Sequence, residues 1–191
     1  MDWKDITLNQ FNELQEVLKI EDETERMIGI SEVVFGDSIT ELPLSEYTKK
    51  LKELDFLKTE LPNTHIVKSV TVNGRSYKVD GLLGNITAAQ YLDYTNHLKS
   101  NDMAKLLSVF LIPAGHKYND GYDMIQVIND MGSLPIDIVN STAFFFIKQY
   151  NRFIKIFLSS LAKKIKKMKV KKNEKKIMMD LLQPLESYLI L

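Results

Sequence analysis

The spacing of apolar residues changes once along this chain, and that change limits the folds open to it. Through most of the sequence apolar side chains recur every three or four residues, as they do along an amphipathic helix. Around Asn73-Gly74 the period becomes two, which is the period of a strand. Asn-Gly between two such runs is the strongest short-range signal for a hairpin with a type I′ turn. The sequence therefore predicts a mainly α fold with one inserted β-hairpin at about residues 66–79.

The predicted hairpin is also a candidate interaction edge. Its turn residues and the residues of its apolar face are Val70, Val72, Asn73, Gly74, Tyr77 and Val79. Two strands alone are only marginally stable in water. The hairpin must therefore pack on helices or pair with a strand from another chain.

Two capping boxes, 80 positions apart, predict an internal repeat. Thr7 and Gln10 form the first, and Thr87 and Gln90 form the second. When residues 6–22 are laid over 86–102, six of the 17 positions are identical. Shared capping chemistry would account for part of this match. Duplication is favoured because three of the identities lie outside the caps, namely Leu18/Leu98, Lys19/Lys99 and Asp22/Asp102.

The repeat predicts two pseudo-equivalent helical halves joined by the hairpin. The expected divisions are a first half at 1–62, the hairpin and a linker at 63–84, a second half at 85–147, and a basic arm with an apolar tail at 148–191. Within the halves, the helix through Met27–Phe35 is expected to correspond to Met103–Ile112.

Charge is segregated along the chain, although the 25 basic and 25 acidic residues cancel. Residues 1–147 carry a net charge of −9, residues 148–176 carry +11, and residues 177–191 carry −2. An acidic body with a basic extension is a clue to the charge of the surfaces that the chain binds. It carries no information about catalysis.

Nine lysines within 14 residues form what we call the basic arm. They are Lys163, Lys164, Lys166, Lys167, Lys169, Lys171, Lys172, Lys175 and Lys176. Phosphate neutralisation would favour nucleic acid, but the arm has no arginine or aromatic residue for base recognition or stacking. A membrane surface and an acidic protein surface, including that of a sister copy, are the other interpretations. A solvated helix face is as good an account as any of the three.

The C-terminal third is predicted to be one long helix that is interrupted near Asn173. Its apolar seam runs at spacings of three and four from Phe146 to Met168. The last segment, Ile177 to Leu191, is apolar again and is bent by Pro184. The three consecutive apolar residues Leu189-Ile190-Leu191 are expected only if another surface shields them from water.

The search for catalytic or metal-binding groups finds none. The absence of cysteine excludes disulfides, thiolate nucleophiles and cysteine-bound metals. His65, His97 and His116 have no partner at metal-ligand spacing. The loop Lys117–Asp123 departs from the EF-hand pattern and fits a polar turn whose Asp120 or Asp123 caps the next helix. We therefore expect no cofactor and no enzymatic activity.

No secretory signal or membrane span is apparent, so we expect a soluble protein.

Residues 5–57 resemble tail assembly chaperone-type proteins of tailed phages. The resemblance lies in the Ile6–Phe11 opening, an acidic turn, a helix ending at Gly36, and the Ile39–Tyr47 segment that leads to Leu54–Leu57. Segments between Asn73 and Pro113 also resemble small virion-assembly proteins of phages of gut Bacteroidetes.

The resemblance implies a mostly helical, non-enzymatic protein of virion morphogenesis, at the tail or the head–tail junction. Its implied partners are other phage structural proteins and further copies of itself. It would act in the host cytoplasm during assembly or remain in the virion, for instance as a ring or connector. The basic arm departs from the family pattern and leaves a nucleic-acid-binding accessory protein as the alternative.

Overall fold

The computed structural model describes residues 1–62, 67–79, 86–100, 102–168, 173–174 and 176–177. These residues are mainly helical with one small antiparallel sheet, which confirms the predicted fold class. The α-helices of the described residues are α1 (Leu8–Val17), α2 (Glu23–Phe35), α3 (Leu44–Glu53), α4 (Ala88–Ser100), α5 (Met103–Ser108), α6 (Met124–Gly132) and α7 (Ile136–Lys167). The strands are β1 (Ser69–Val72), β2 (Arg75–Val79) and β3 (Leu111–Pro113), and short 3₁₀ helices cover Trp3–Asp5, Asp37–Glu41 and Leu54–Lys58.

Both predicted capping boxes are present. The Gln10 backbone N–H donates to Thr7 Oγ1 at 3.2 Å, and the Thr7 N–H donates to Gln10 Oε1 at 3.0 Å. The corresponding distances for Gln90 and Thr87 are 3.1 and 3.0 Å. Each box satisfies two backbone donors that would otherwise lack partners at the start of α1 and α4.

The two capping glutamines also make the same long-range contact. Gln10 Nε2 donates to the Val33 carbonyl oxygen at 3.0 Å, near the end of α2. Gln90 Nε2 donates to the Val109 carbonyl oxygen at 3.2 Å, just past the end of α5. One side chain thus caps a helix and ties it to the next helix, in both the α1–α2 pair and the α4–α5 pair.

The α1–α2 and α4–α5 pairs resemble each other only as far as the N-cap of the second helix in each pair. Asp22 and Asp102 each accept a hydrogen bond from the backbone N–H three residues later, at 2.8 and 3.1 Å. However, α2 has 13 residues and α5 only six. The expectation that Met103–Ile112 would form one helix is therefore wrong, because the helix ends at Ser108 and β3 follows. Pairing of β3 with β2 overrides the local helical pattern.

The sheet contains the predicted hairpin. Its strand order is β1-β2-β3, both pairings are antiparallel, and Val70 faces Tyr77 across the hairpin. Asn73 and Gly74 have φ values of 50° and 73°, as a type I′ turn requires. The hairpin gains its third strand from the same chain. Residue 66, its predicted start, lies outside the described residues.

The main hydrophobic core draws on both predicted halves and is closed by two segments that run side by side. The Leu8 N–H donates to the Leu134 carbonyl at 2.8 Å, and the Ile136 N–H donates to the Ile6 carbonyl at 2.8 Å. These bonds hold the start of α1 against the start of α7. The buried side chains around them include Trp3, Ile6, Leu8, Leu14, Ile30, Val34, Leu54, Phe56, Tyr77, Leu107, Leu111, Val127, Met131, Leu134 and Val139.

The chain divides into two compact units, Met1–Asp80 with Thr87–Thr142 and Gly81–Ile86 with Ala143–Leu191. Helix α7 has 32 residues and belongs to both units. The domain boundary expected at 147/148 lies inside this helix. The predicted long helix ends at Lys167, before the interruption expected at Asn173, and Asn173 is itself helical.

Candidate functional site

An apolar groove of about 560 Å³ opens between α2 and α3, and we call it the α2–α3 groove. Its lining residues are Glu23, Thr24, Met27, Ile28, Thr40, Leu42, Leu44 and Tyr47. The Leu44 side chain is 79% exposed, and Met27 and Ile28 are 41% and 37% exposed. Neighbouring apolar side chains exposed to water make this groove a candidate binding surface.

Helix α2 leaves this groove open because it has more apolar residues than one buried face can hold. Ile30 and Val34 enter the core and are 9% and 6% exposed. Met27 and Ile28 are apolar residues of the same helix, yet both are exposed. Excess apolar residues on one helix were the sequence signal that could have revealed the groove.

A hydroxyl pair joins the two walls of the groove. The Ser31 hydroxyl donates to the Ile28 carbonyl at 2.7 Å, and Tyr47 Oη lies 3.1 Å from Ser31 Oγ. Since Ser31 has a single hydroxyl proton, Tyr47 must be the donor in the second bond. Ser31 is fully buried, so this bond fixes α3 against α2 and keeps the groove preformed.

The surroundings of the groove are acidic. Exposed carboxylates close in sequence to the lining residues belong to Glu21, Glu23, Glu25, Glu41 and Glu46. None of the five forms an ion pair within the part of the chain that the structure describes. Carboxylates outnumber the cations that lie close in sequence to the lining residues, Arg26 and Lys49, so the groove combines an apolar floor with a net negative surrounding, which suits an apolar segment flanked by cations.

The predicted hairpin edge is largely occupied by the chain itself. Val72 and Tyr77 are buried, and Val70 and Val79 are partly buried against the core. Strand β3 pairs with the side of β2 that faces away from β1, so within the described residues the unpaired sides of the sheet belong to β1 and to the three-residue strand β3. The turn residue Asn73 donates to Asp130 of α6 at 2.9 Å.

Asp130 is the centre of a buried polar cluster that the sequence analysis missed. The carboxylate is 0% exposed. Arg75 Nε donates to Oδ2 at 2.6 Å and Arg75 Nη2 donates to Oδ1 at 2.7 Å, a bidentate pair. The Tyr77 hydroxyl donates to Oδ2 through a short hydrogen bond, and Gln126 Nε2 lies 3.3 Å from Oδ1.

The cluster shifts the pKa values of its members. The Arg75 hydrogen bonds hold the pKa of Asp130 well below its usual range, against the opposing effect of burial. Burial, together with the hydrogen bond to Asp130, raises the pKa of Tyr77 to about 12. Five donors engage the two carboxylate oxygens. Asp130 is thus an anchor for the hairpin and has no free acceptor for proton transfer.

A sequence signal for this cluster did exist. Arg75 lies opposite Val72 and therefore on the apolar face of the hairpin. Asp130 falls within the apolar stripe of α6 between Val127 and Met131. A cation on one buried face and an anion on another are typical of a buried ion pair.

The basic arm is described only in part. Lys163, Lys164, Lys166 and Lys167 are exposed on the last turns of α7, and Lys176 is exposed as well. The remaining lysines of the arm, Lys169, Lys171, Lys172 and Lys175, lie outside the described residues. Ile165, between the exposed lysines, is buried.

The predicted polar turn before α6 is confirmed. Asp123 caps the helix by accepting from the backbone N–H groups of Ile125 and Gln126 at 2.9 and 3.2 Å. Asp120 instead lies 3.9 Å from His116 Nδ1. Among the described residues no group of three His, Asp or Glu side chains is placed to hold a metal ion. His65 lies outside them.

Within the described ranges, no helix combines the length and apolar character needed to cross a bilayer. Comparisons with protein-family models, with curated proteins and with solved structures give no match.

Proposed function

We propose that this protein is a non-enzymatic assembly protein of a tailed phage that acts through protein–protein contacts in virion morphogenesis. The observation that carries the proposal is the α2–α3 groove, where Leu44 is 79% exposed beside Met27 and Ile28. A preformed apolar surface of this kind favours binding of an apolar partner segment. The phage setting follows from the sequence resemblance of residues 5–57.

The chemistry of the buried cluster is consistent with a binding role. Asp130 carries the strongest set of polar contacts described, and all of them serve to hold the hairpin on α6. A catalytic carboxylate needs an acceptor within reach of a substrate proton. Asp130 is fully buried, so a substrate has no route to it in this structure.

The test is direct binding between the purified full chain and the purified head, neck and tail proteins encoded by the same phage. We expect at least one to bind, and Leu44→Asp to weaken that binding by tenfold or more. Leu92→Asp is the matched control, because Leu92 is also exposed, at 60%, and lies outside the groove. Failure of every structural protein to bind would refute the proposal.

Nucleic acid remains the second candidate because four lysines are exposed together on the last turns of α7. If they contact phosphates, the logarithm of the affinity for duplex DNA should fall with the logarithm of salt concentration, with a slope of about −3 to −4 for four contacts. Replacing Lys163, Lys164, Lys166 and Lys167 by glutamate should abolish binding. Unchanged binding by this variant would exclude the arm as a DNA site.

A further inference from the structure

The α2–α3 groove lacks an apolar cover in the described part of the chain, and the sequence contains a segment suited to be one. The groove has a volume of about 560 Å³, within the range of pockets that bury most of a drug-sized ligand. The structure describes the chain as far as Ile177, and residues 178–191 follow in the sequence. Their apolar members are Met178, Met179, Leu181, Leu182, Leu185, Tyr188, Leu189, Ile190 and Leu191.

The spacing in this segment matches a known mode of groove binding. Met178, Leu181, Leu182 and Leu185 follow the i, i+3, i+4, i+7 pattern. Amphipathic helices that insert into apolar grooves use anchors at this spacing. The sequence of the segment therefore supplies what the groove lacks, a compact row of apolar side chains.

Charge supports the same pairing. The acidic side chains around the groove, among them Glu23 and Glu41, have no ion-pair partner in the described part of the chain. The segment itself carries Asp180 and Glu186, so the complementary positive charge comes from the lysines of the basic arm that precede it, including Lys175 and Lys176. An apolar segment with cations at its entry complements an apolar floor with carboxylates around it.

We propose that the α2–α3 groove of one copy binds residues 178–191 of a second copy. This inference rests on the proposed function, for which it names one partner. The contact joins two different surfaces, so a pair of copies retains one free groove and one free segment. Such a head-to-tail contact propagates into a closed ring or an open filament.

The first experiment measures molar mass by size-exclusion chromatography with light scattering over a range of concentrations. The wild-type full chain should exceed the monomer mass of 22.0 kDa as concentration rises. A groove variant, Leu44→Asp, and a segment variant, Leu181→Asp with Leu182→Asp, should each remain monomeric. Leu92→Asp should associate like the wild type. Higher salt should weaken association of the wild type, because salt screens the attraction between the carboxylates around the groove and the lysines of the basic arm.

The decisive measurement mixes the two monomeric variants. The groove variant keeps an intact segment, and the segment variant keeps an intact groove. An equimolar mixture should therefore form a heterodimer of twice the monomer mass and nothing larger. Circular dichroism melting of each variant alone checks that the substitutions leave the fold intact, as the exposure of Leu44 leads us to expect.

A labelled peptide of residues 176–191 provides an independent probe. It should bind the segment variant, whose groove is empty, and the binding should be lost when Leu44→Asp is added. If the peptide binds the segment variant and the wild type stays monomeric at every concentration, the segment occupies its own groove and the proposal is overturned. Self-association of the segment variant at wild-type strength overturns it as well, since another surface then pairs the copies.

These outcomes separate the inference from the proposed function. The segment variant loses self-pairing but keeps an intact groove, so binding of the other phage structural proteins is measured on that variant and compared with the groove variant. If the mixture fails to dimerise but a structural protein still binds in a Leu44-dependent way, only the identity of the partner is wrong. If neither binding occurs, both proposals fail.

Discussion

Replacing Asp130 by asparagine should destabilise the first compact unit strongly, although the side chain keeps its shape. The carboxylate is fully buried, and its oxygens accept hydrogen bonds from Asn73, Arg75, Tyr77 and Gln126. Asparagine offers one acceptor oxygen only. Its amide nitrogen would face an Arg75 N–H whichever way the amide is turned.

The size of the loss in unfolding free energy depends on the groups that lose their partner, Arg75 and Tyr77. Removing one partner of a buried ion pair costs about 3–5 kcal/mol, because the other partner loses its compensation. The Arg75 side chain is 47% exposed and can be hydrated, which lowers this cost. The buried Tyr77 hydroxyl keeps its acceptor only if the amide oxygen occupies the Oδ2 position. We therefore expect a loss of about 3 kcal/mol, or a fall in Tm of about 6–12 °C for a chain of this size.

The assay is urea unfolding followed by tryptophan fluorescence. Trp3 is the only tryptophan, and it packs edge-on against Phe56 with ring centroids 5.2 Å apart. It lies in the same compact unit as Asp130, so its signal reports on that unit even if the two units unfold separately.

The control is the same chemical change at an exposed ion pair. Asp55 Oδ1 lies 2.6 Å from Lys58 Nζ, and the Asp55 side chain is 66% exposed. Asp55→Asn should change stability by less than about 1 kcal/mol. If Asp130→Asn shifts the unfolding midpoint no further than this control, the anchor role of Asp130 is refuted.

Further changes test other parts of the structure. The pKa of Asp130 is depressed in the folded state, so its carboxylate stabilises the fold at neutral pH. The difference in unfolding free energy between the wild type and Asp130→Asn should therefore shrink as the pH falls below about 4. A difference that does not change with pH would contradict this. Because the pKa of Tyr77 is raised to about 12, the wild type should lose stability between pH 10 and 12 in alkaline urea titrations, and Tyr77→Phe should reduce that loss to the part due to Tyr118, whose pKa is also raised. Gly29→Ala should fail to give the gain of about 1 kcal/mol usual in a helix, since its Cβ would lie 2.9 Å from Val17 Cγ1, and adding Val17→Ala should restore the gain. Thr87→Ala should cost about 1 kcal/mol in urea unfolding through loss of the α4 cap, and a neutral result would show that the box is dispensable.

Features coded by neighbouring residues were predictable from the sequence. The hairpin turn depends on Asn73-Gly74, and each capping box depends on four consecutive residues, so local chemistry was sufficient. Strand β3 was not predictable, because three residues are too few to show a period and its pairing with β2 is a long-range contact.

The candidate site was less predictable than the fold. Its groove depends on which apolar residues of α2 are left over after packing, and only the tertiary structure decides that Met27 is exposed while Ile30 is buried. The Asp130 cluster joins residues 55 positions apart, from Arg75 to Asp130. Both partners stand at apolar positions of their elements, and a strand pattern or a helix pattern taken alone does not show that the two positions meet.

The Asp130 anchor also acts as a check on how the hairpin is assembled. A shift of β2 by one residue would turn every side chain to the opposite face. Arg75 and Tyr77 would then leave the carboxylate, and a bare negative charge would be trapped in the core. In hairpins the apolar face and the geometry of the turn set the register. Here an error in register also carries an electrostatic penalty. The donors and acceptors on the unpaired side of β1 are therefore held in one fixed position relative to the rest of the fold.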